Sequence, residues 1–217
     1  MNDNRIKAVI FDLDGTLTDT EQFYQKAWPK ALSHFGYKVE PWMPLELRSL
    51  GRPYAIETFR KWFGEDFDYE EVRSYRKELI KDMLKDGIPL KPGAVEILKC
   101  LKDKGITVAM ATANDLERTT GYLKRIGIID YFDRLICADM VRFGKPAPDI
   151  YAHACRELGL DPSETFAVED SPNGVRSAYR AGCNVIMVPD LTEPDDELKP
   201  MLFACVPCLT DIEGLLF

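Results

Sequence analysis

Residues 8–17 read Ala8-Val9-Ile10-Phe11-Asp12-Leu13-Asp14-Gly15-Thr16-Leu17. Four consecutive apolar residues without polar alternation mark a strand buried on both faces, as in a parallel sheet. The run then stops at two aspartates separated by one residue. Ligands of open α/β sheets bind beyond the carboxyl ends of the strands, which places Asp12 and Asp14 at a binding edge. Two carboxylates this close repel unless a cation lies beside them. Taken alone, the pair is also what a turn or a helix cap would show.

Outward from this stretch the pattern repeats. Short apolar runs at Thr107–Ala111, Leu135–Cys137, Phe166–Val168 and Val185–Val188 read as further buried strands. Helical patterns at Ala94–Lys104, Leu116–Ile126, Pro148–Leu158 and Gly174–Ala181 separate them or follow them. Gly105, Gly127, Gly159 and Gly182 each follow such a helix, where a left-handed cap residue is expected. Strands alternating with helices predict an α/β fold, a Rossmann-like three-layer core with a mostly parallel sheet. One stretch breaks the alternation. Residues 19–88 carry no strong strand signal, and Glu21–Phe35, Tyr54–Phe63 and Tyr69–Asp86 read as amphipathic helices. The aromatics gathered there, Trp28, Phe59 and Trp62 among them, suit the core of a small bundle. The expected organisation is therefore a core of residues 1–18 and 89–217, with a small helical domain of residues 19–88 inserted after the first strand. Leu17–Thr20 and Gly87–Pro92 would be its two crossings.

Composition limits the partners. The 217 residues include 28 basic and 36 acidic side chains, a net charge of -8. That balance argues against nucleic acid as the main partner, because phosphate backbones attract basic surfaces. No apolar window approaches the length of a membrane span, and the first residues lack the features of a signal peptide. Six cysteines scattered through apolar segments suit reduced thiols. A cytoplasmic monomer acting on a small molecule is expected. Cys205 and Cys208 form a lone Cys-x-x-Cys pair with no second pair or nearby histidine, a poor basis for zinc. His34 and His153 have no histidine partner at ligand spacing.

The other strand ends change the meaning of Asp12 and Asp14. Thr112-Ala113-Asn114 offers a hydroxyl, an amide and backbone N–H groups at a helix start, an arrangement suited to a phosphate oxyanion. Gly144-Lys145-Pro146 supplies a lysine, and Glu169-Asp170-Ser171 two more carboxylates. A cap explains Asp170 or Ser171 singly, but not acid, hydroxyl, lysine and acid at four strand ends. Asp12, Asp14, Glu169 and Asp170 crowd negative charge into one crevice, and Lys145 offsets only part of it. An anionic substrate needs a divalent cation there, and an all-oxygen ligand set favours Mg2+.

In this order the motifs resemble those of the haloacid dehalogenase superfamily of phosphotransferases, and the match spans the whole chain. The insertion resembles that family's C1-type helical cap. By resemblance, Asp12 is a nucleophile that forms an aspartyl-phosphate and Asp14 is the general acid–base. Thr112, with Ala113 and Asn114, and Lys145 hold the phosphate. Asp12, the Asp14 backbone carbonyl, Asp170 and Glu169 hold Mg2+. Gly144-Lys145-Pro146-Ala147-Pro148-Asp149 and Glu169-Asp170-Ser171-x-x-Gly174 look like the β-phosphoglucomutase branch. Leu47-Arg48-Ser49-Leu50-Gly51-Arg52 resembles a cap loop that presents an arginine to substrate, with Arg52 at the matching position. The mutase has a histidine where this chain has Tyr24, and a valine where it has Thr16.

These readings imply a Mg2+-dependent phosphatase for a small phosphorylated metabolite such as a sugar phosphate, Tyr24 and Arg52 meeting the substrate from the cap. The alternative is a β-phosphoglucomutase-type mutase. Dehalogenation disagrees with the presence of Asp14, and phosphonate cleavage would need a Schiff-base lysine that 19–88 does not single out. A phospho-receiver signalling module also gathers acids, hydroxyl and lysine at parallel strand ends, but is shorter and lacks the insertion. A catalytically dead interaction protein disagrees with intact Asp12, Asp14, Lys145 and Asp170.

Overall fold

In the computed structural model, which describes residues 6–217, Ala8–Phe11 form β1, one of the two middle strands of a six-stranded sheet. It pairs in parallel with β2 (Thr107–Thr112) on one side and β4 (Thr165–Glu169) on the other, Ala8 lying opposite both Thr107 and Thr165. β3 (Arg134–Cys137), β5 (Asn184–Met187) and β6 (Ala204–Cys205) complete the order β3-β2-β1-β4-β5-β6, with every pairing parallel. Strand β6 was not expected from the sequence. It has two residues and exists through its pairing with β5.

Both faces of this sheet are covered, which explains the unbroken apolar runs. Val9, Phe11, Val108 and Met110 point to one side, where they pack with α5 (Ala94–Asp103), α6 (Leu116–Arg125) and α9 (Asp211–Leu216). Ile10, Ala109, Ala111 and Ala167 point to the other, against α7 (Asp149–Leu158) and α8 (Pro172–Ala181). The period-two alternation is present, but both phases are apolar. Gly105, Gly127, Gly159 and Gly182 all follow their helices with positive φ, as expected.

Between β1 and α5 lie α1 (Glu21–His34), the short α2 (Met43–Glu46), α3 (Tyr54–Phe63) and α4 (Tyr69–Met83), with no strand among them. Their aromatic residues form a separate core around Phe59, whose ring stacks on Phe67 at 4.8 Å and meets Trp28 at 4.9 Å. The two crossings hold each other. The Asp19 N–H donates to the Pro89 carbonyl and the Lys91 N–H to the Leu17 carbonyl, both at 2.9 Å.

A second tie joins the helical segment to the core. The Gly51 N–H donates to the Lys145 carbonyl and the Gly144 N–H to the Arg52 carbonyl, each at 2.8 Å. The backbones approach so closely that a Cβ on Gly51 would lie 2.5 Å from the Gly144 Cα. Only two glycines can cross here. No described helix is long and apolar enough to cross a membrane.

Candidate active site

Asp12 follows β1 and is almost wholly buried. The Lys145 ammonium donates to Asp12 Oδ1, to Glu169 Oε1 at 2.6 Å and to the Ala111 carbonyl at 2.9 Å. Tyr151, from α7, donates its hydroxyl to the same Glu169 oxygen at 2.7 Å. Burial works against the lysine's charge, but Asp12 and Glu169 outweigh it and hold the Lys145 pKa above its ordinary value. Glu169 lies so close to Gly174 that a Cβ there would meet its carboxylate at 1.9 Å. The glycine in the Glu169-Asp170-Ser171-x-x-Gly174 motif thus makes room for the acid that anchors Lys145.

The second oxygen of Asp12, Oδ2, is buried and accepts no hydrogen bond from the described residues. Carboxylate oxygens of Asp12, Glu169 and Asp170 lie within 4.8 Å of one another. Burial drives the Asp12 carboxyl well above the usual carboxylate range, opposed by Lys145. Asp170 is pushed up to about 7 by burial, opposed by Arg48. Three buried acids with an orphaned oxygen fit a hard divalent cation, whose charge would offset their desolvation. These residues could therefore hold a metal ion.

Asp14 is held apart from that cluster. It accepts from the Thr20 hydroxyl at 2.5 Å and from the Asn114 side-chain amide at 2.6 Å. Thr20 is itself set by Thr18, whose hydroxyl lies 2.9 Å away and donates to the Leu13 carbonyl. The Asp14 carboxylate is thus not one of the three clustered acids, so any part in metal binding would fall to its main-chain carbonyl. The Asn114 side chain, expected at the phosphate, is engaged with Asp14 instead.

Asp12, Asp14, Thr112, Ala113, Asn114 and Tyr24 border one cavity, with Lys145, Glu169 and Asp170 packed behind Asp12. Arg52 is not brought in. Its guanidinium pairs with Glu70 at 2.9 Å, half exposed, and it borders a separate surface depression with Arg142 and Phe143. The physical reason is the Gly51–Gly144 crossing, which turns the loop so that Arg48, Ser49 and Leu50 face the cavity and Arg52 leaves it. Arg48 is the arginine of this loop that reaches the site. It is buried, donates to the Asp170 carboxylate and to Thr192 at 2.8 Å, and has Glu21 at 3.9 Å. The sequence reading also passed over Thr20, Tyr151, Arg76 and Arg118. Arg48 lay within the quoted loop motif, whereas the other four carried no local signal.

The chain matches the family model of haloacid dehalogenase-like hydrolases over residues 6–182. It is 32% identical over 185 residues to hexitol phosphatase A of Escherichia coli K12, covering 85% of this chain and 83% of that protein. The crystal structure of CbbY from Rhodobacter sphaeroides in complex with phosphate superposes with a TM-score of 0.79 at 28% identity, covering 95% of this chain and 96% of that one. β-Phosphoglucomutase from Clostridium difficile shares the fold, with a TM-score of 0.80 at 21% identity and 96% of each chain covered.

Proposed function

Since this chain belongs to the haloacid dehalogenase-like hydrolase family and is a phosphoric monoester hydrolase of that type, we propose that it releases phosphate from small phosphorylated sugars or polyols through an aspartyl-phosphate on Asp12. The observation that carries the reading is the division of labour between two aspartates. Asp12 is bonded to Lys145 on one oxygen and unpartnered on the other. Asp14 stands two residues on, oriented by Thr20 and Asn114 towards the same cavity.

The residues act in two displacements. An Asp12 carboxylate oxygen forms a bond to phosphorus as the ester P–O bond breaks, and Asp14 gives its proton to the leaving alkoxide. Asp14 then takes a proton from water as that water attacks phosphorus, releasing phosphate and restoring Asp12. Lys145 neutralises charge on Asp12, and the Thr112 hydroxyl with the N–H groups following β2 receives the phosphoryl oxygens. Mg2+, held by Asp12, Asp170, Glu169 and the Asp14 carbonyl, would polarise the phosphoryl group and screen it from the acids. Residues 19–88 act as a cap over the cavity, entered and left through the paired crossings at Leu17–Thr20 and Gly87–Pro92.

Hydrolysis is favoured over the mutase reading by Tyr24, which occupies the cavity wall as a neutral phenol. Burial raises its pKa well above the ordinary tyrosine value. The test is phosphate release from a panel of sugar and polyol phosphates with Mg2+ and with chelator. Undiminished release by an Asp12→Asn protein would refute the reading.

A further inference from the structure

Two guanidiniums on the cavity wall lack a carboxylate partner among the described residues. Arg76 comes from α4 and Arg118 from the first turn of α6. The other cations around the cavity are engaged. Arg48 pairs with Asp170, Lys77 with Asp115 at 2.8 Å, and Arg73 approaches Glu70 at 3.7 Å. Arg118 donates only to a neutral acceptor, the Tyr122 hydroxyl, at 2.6 Å. The Nε of Arg76 and the Nε of Arg118 are both buried without acceptors among the described residues.

Tyr24 joins them. The two guanidinium carbons lie 5.1 Å (Arg76) and 5.4 Å (Arg118) from its ring centroid. Its hydroxyl is buried and has no hydrogen-bond partner among the described residues. Stacking on aromatic rings favours the cations but satisfies none of the guanidinium N–H donors. Asp14 acts on Arg118 across the cavity and favours its charge, but among the described residues no acid is in ion-pair contact with either guanidinium, and a buried cation gains from an anion that touches it. Lys145 is bound to Asp12, Glu169 and the Ala111 carbonyl, whereas Arg76 and Arg118 border the cavity with no such partners among the described residues.

We propose that Arg76, Arg118 and the Tyr24 hydroxyl form a second anion subsite, making the preferred substrate a phosphomonoester that carries a further carboxylate or phosphate. The proposal rests on the phosphatase reading above and adds the substrate class. Guanidinium forks match the planar, bidentate geometry of both anions. Arg76 belongs to the cap segment and Arg118 to the core, so an anion held between them also draws the two together. A neutral sugar phosphate would leave both guanidiniums unpaired.

The experiment uses matched probes: fructose 1,6-bisphosphate against fructose 1-phosphate, and 3-phosphoglycerate against glycerol 3-phosphate. The first pair reads a second phosphate and the second a carboxylate. The wild-type protein with Mg2+ should show kcat/KM about tenfold higher for the doubly anionic member of at least one pair, the worth of one charge-assisted contact. Arg76→Gln and Arg118→Gln should each pull that ratio towards one. Equal kcat/KM within both pairs, or a ratio unchanged in both variants, would overturn the proposal while phosphate release left the phosphatase reading standing. Isothermal titration of an Asp12→Asn protein with the same probes reads the subsite without turnover. A preference there of about tenfold, lost on adding Arg76→Gln, supports the subsite even if no probe is hydrolysed. Absence of any preference in titration overturns it.

Discussion

Arg48, from the loop after α2, donates to both the carboxylate and the main-chain carbonyl of Asp170 at the end of β4. A cation from the helical segment thus sits on one of the three clustered acids of the core. The contact is buried on both sides. It makes the position of the loop and the charge state of the acidic cluster a single matter.

Replacing Arg48 with Met should therefore leave Asp170 buried without its cation. Removing one partner of a buried pair costs about 3 kcal/mol. The loss should be seen by urea unfolding in chelator and should shrink in saturating Mg2+, because bound cation takes over the neutralisation. Unfolding midpoints equal to wild type in chelator would show that the pair contributes nothing.

Asp14 and Thr20 should separate chemistry from orientation. Asp14→Asn removes the proton carrier, expected to cost ~10²–10⁴-fold in kcat. Thr20→Val removes one of two donors that aim Asp14 and should lower kcat by about tenfold, the worth of a lost hydrogen bond, with KM little changed. Steady-state kinetics on a sugar phosphate measure both. A Thr20→Val protein that raised KM with unaltered kcat would place Thr20 in substrate binding.

The Gly51–Gly144 crossing should be intolerant of a methyl group on either side. A Cβ on Gly144 would stand 2.6 Å from the Gly51 Cα, and both opposing groups are backbone. Overpacking of this kind costs typically ~1–3 kcal/mol. The strain falls on the contact between loop and core rather than on the sheet. Gly144→Ala should thus expose the 47–52 loop to limited proteolysis and lower kcat/KM before the core unfolds. Protease resistance equal to wild type would mean that the loop is held by other contacts.

This crossing also shows what the sequence could and could not disclose. β1 was legible because its four residues are wholly buried and its neighbours supply both walls, so burial alone wrote the pattern. The acids, hydroxyl and lysine were legible because each ends or follows a strand of one parallel sheet. Which arginine of the 47–52 loop enters the cavity was not. Arg48 and Arg52 share one loop, and the choice between them is made by a glycine of the core at position 144. The Arg76–Tyr24–Arg118 group draws on three helices, and no local spacing announces it. Strand β6, at two residues, falls below any periodic signal.

The last prediction separates water from a sugar hydroxyl as the phosphoryl acceptor. On the proposed mechanism both reactions begin with Asp12 attacking phosphorus, so the difference lies in the lifetime of the phosphoenzyme. A mutase must hold it against water and couple Asp14 to the correct hydroxyl. Tyr24 stands on the cavity wall between Arg76 and Arg118, a phenol whose burial keeps it neutral across the physiological range. It can donate one hydrogen bond but, unlike an imidazole, has no cationic form near neutral pH to act as a proton donor. The phosphoenzyme should then pass its phosphate to water. Given β-glucose 1-phosphate and a glucose 1,6-bisphosphate primer, the protein should release inorganic phosphate, and a Tyr24→His variant should shift product towards glucose 6-phosphate if the ring at this position governs the choice. Sustained, primer-dependent formation of glucose 6-phosphate by the wild-type protein, with little free phosphate, would assign it to the mutases and make the phenol an innocent replacement.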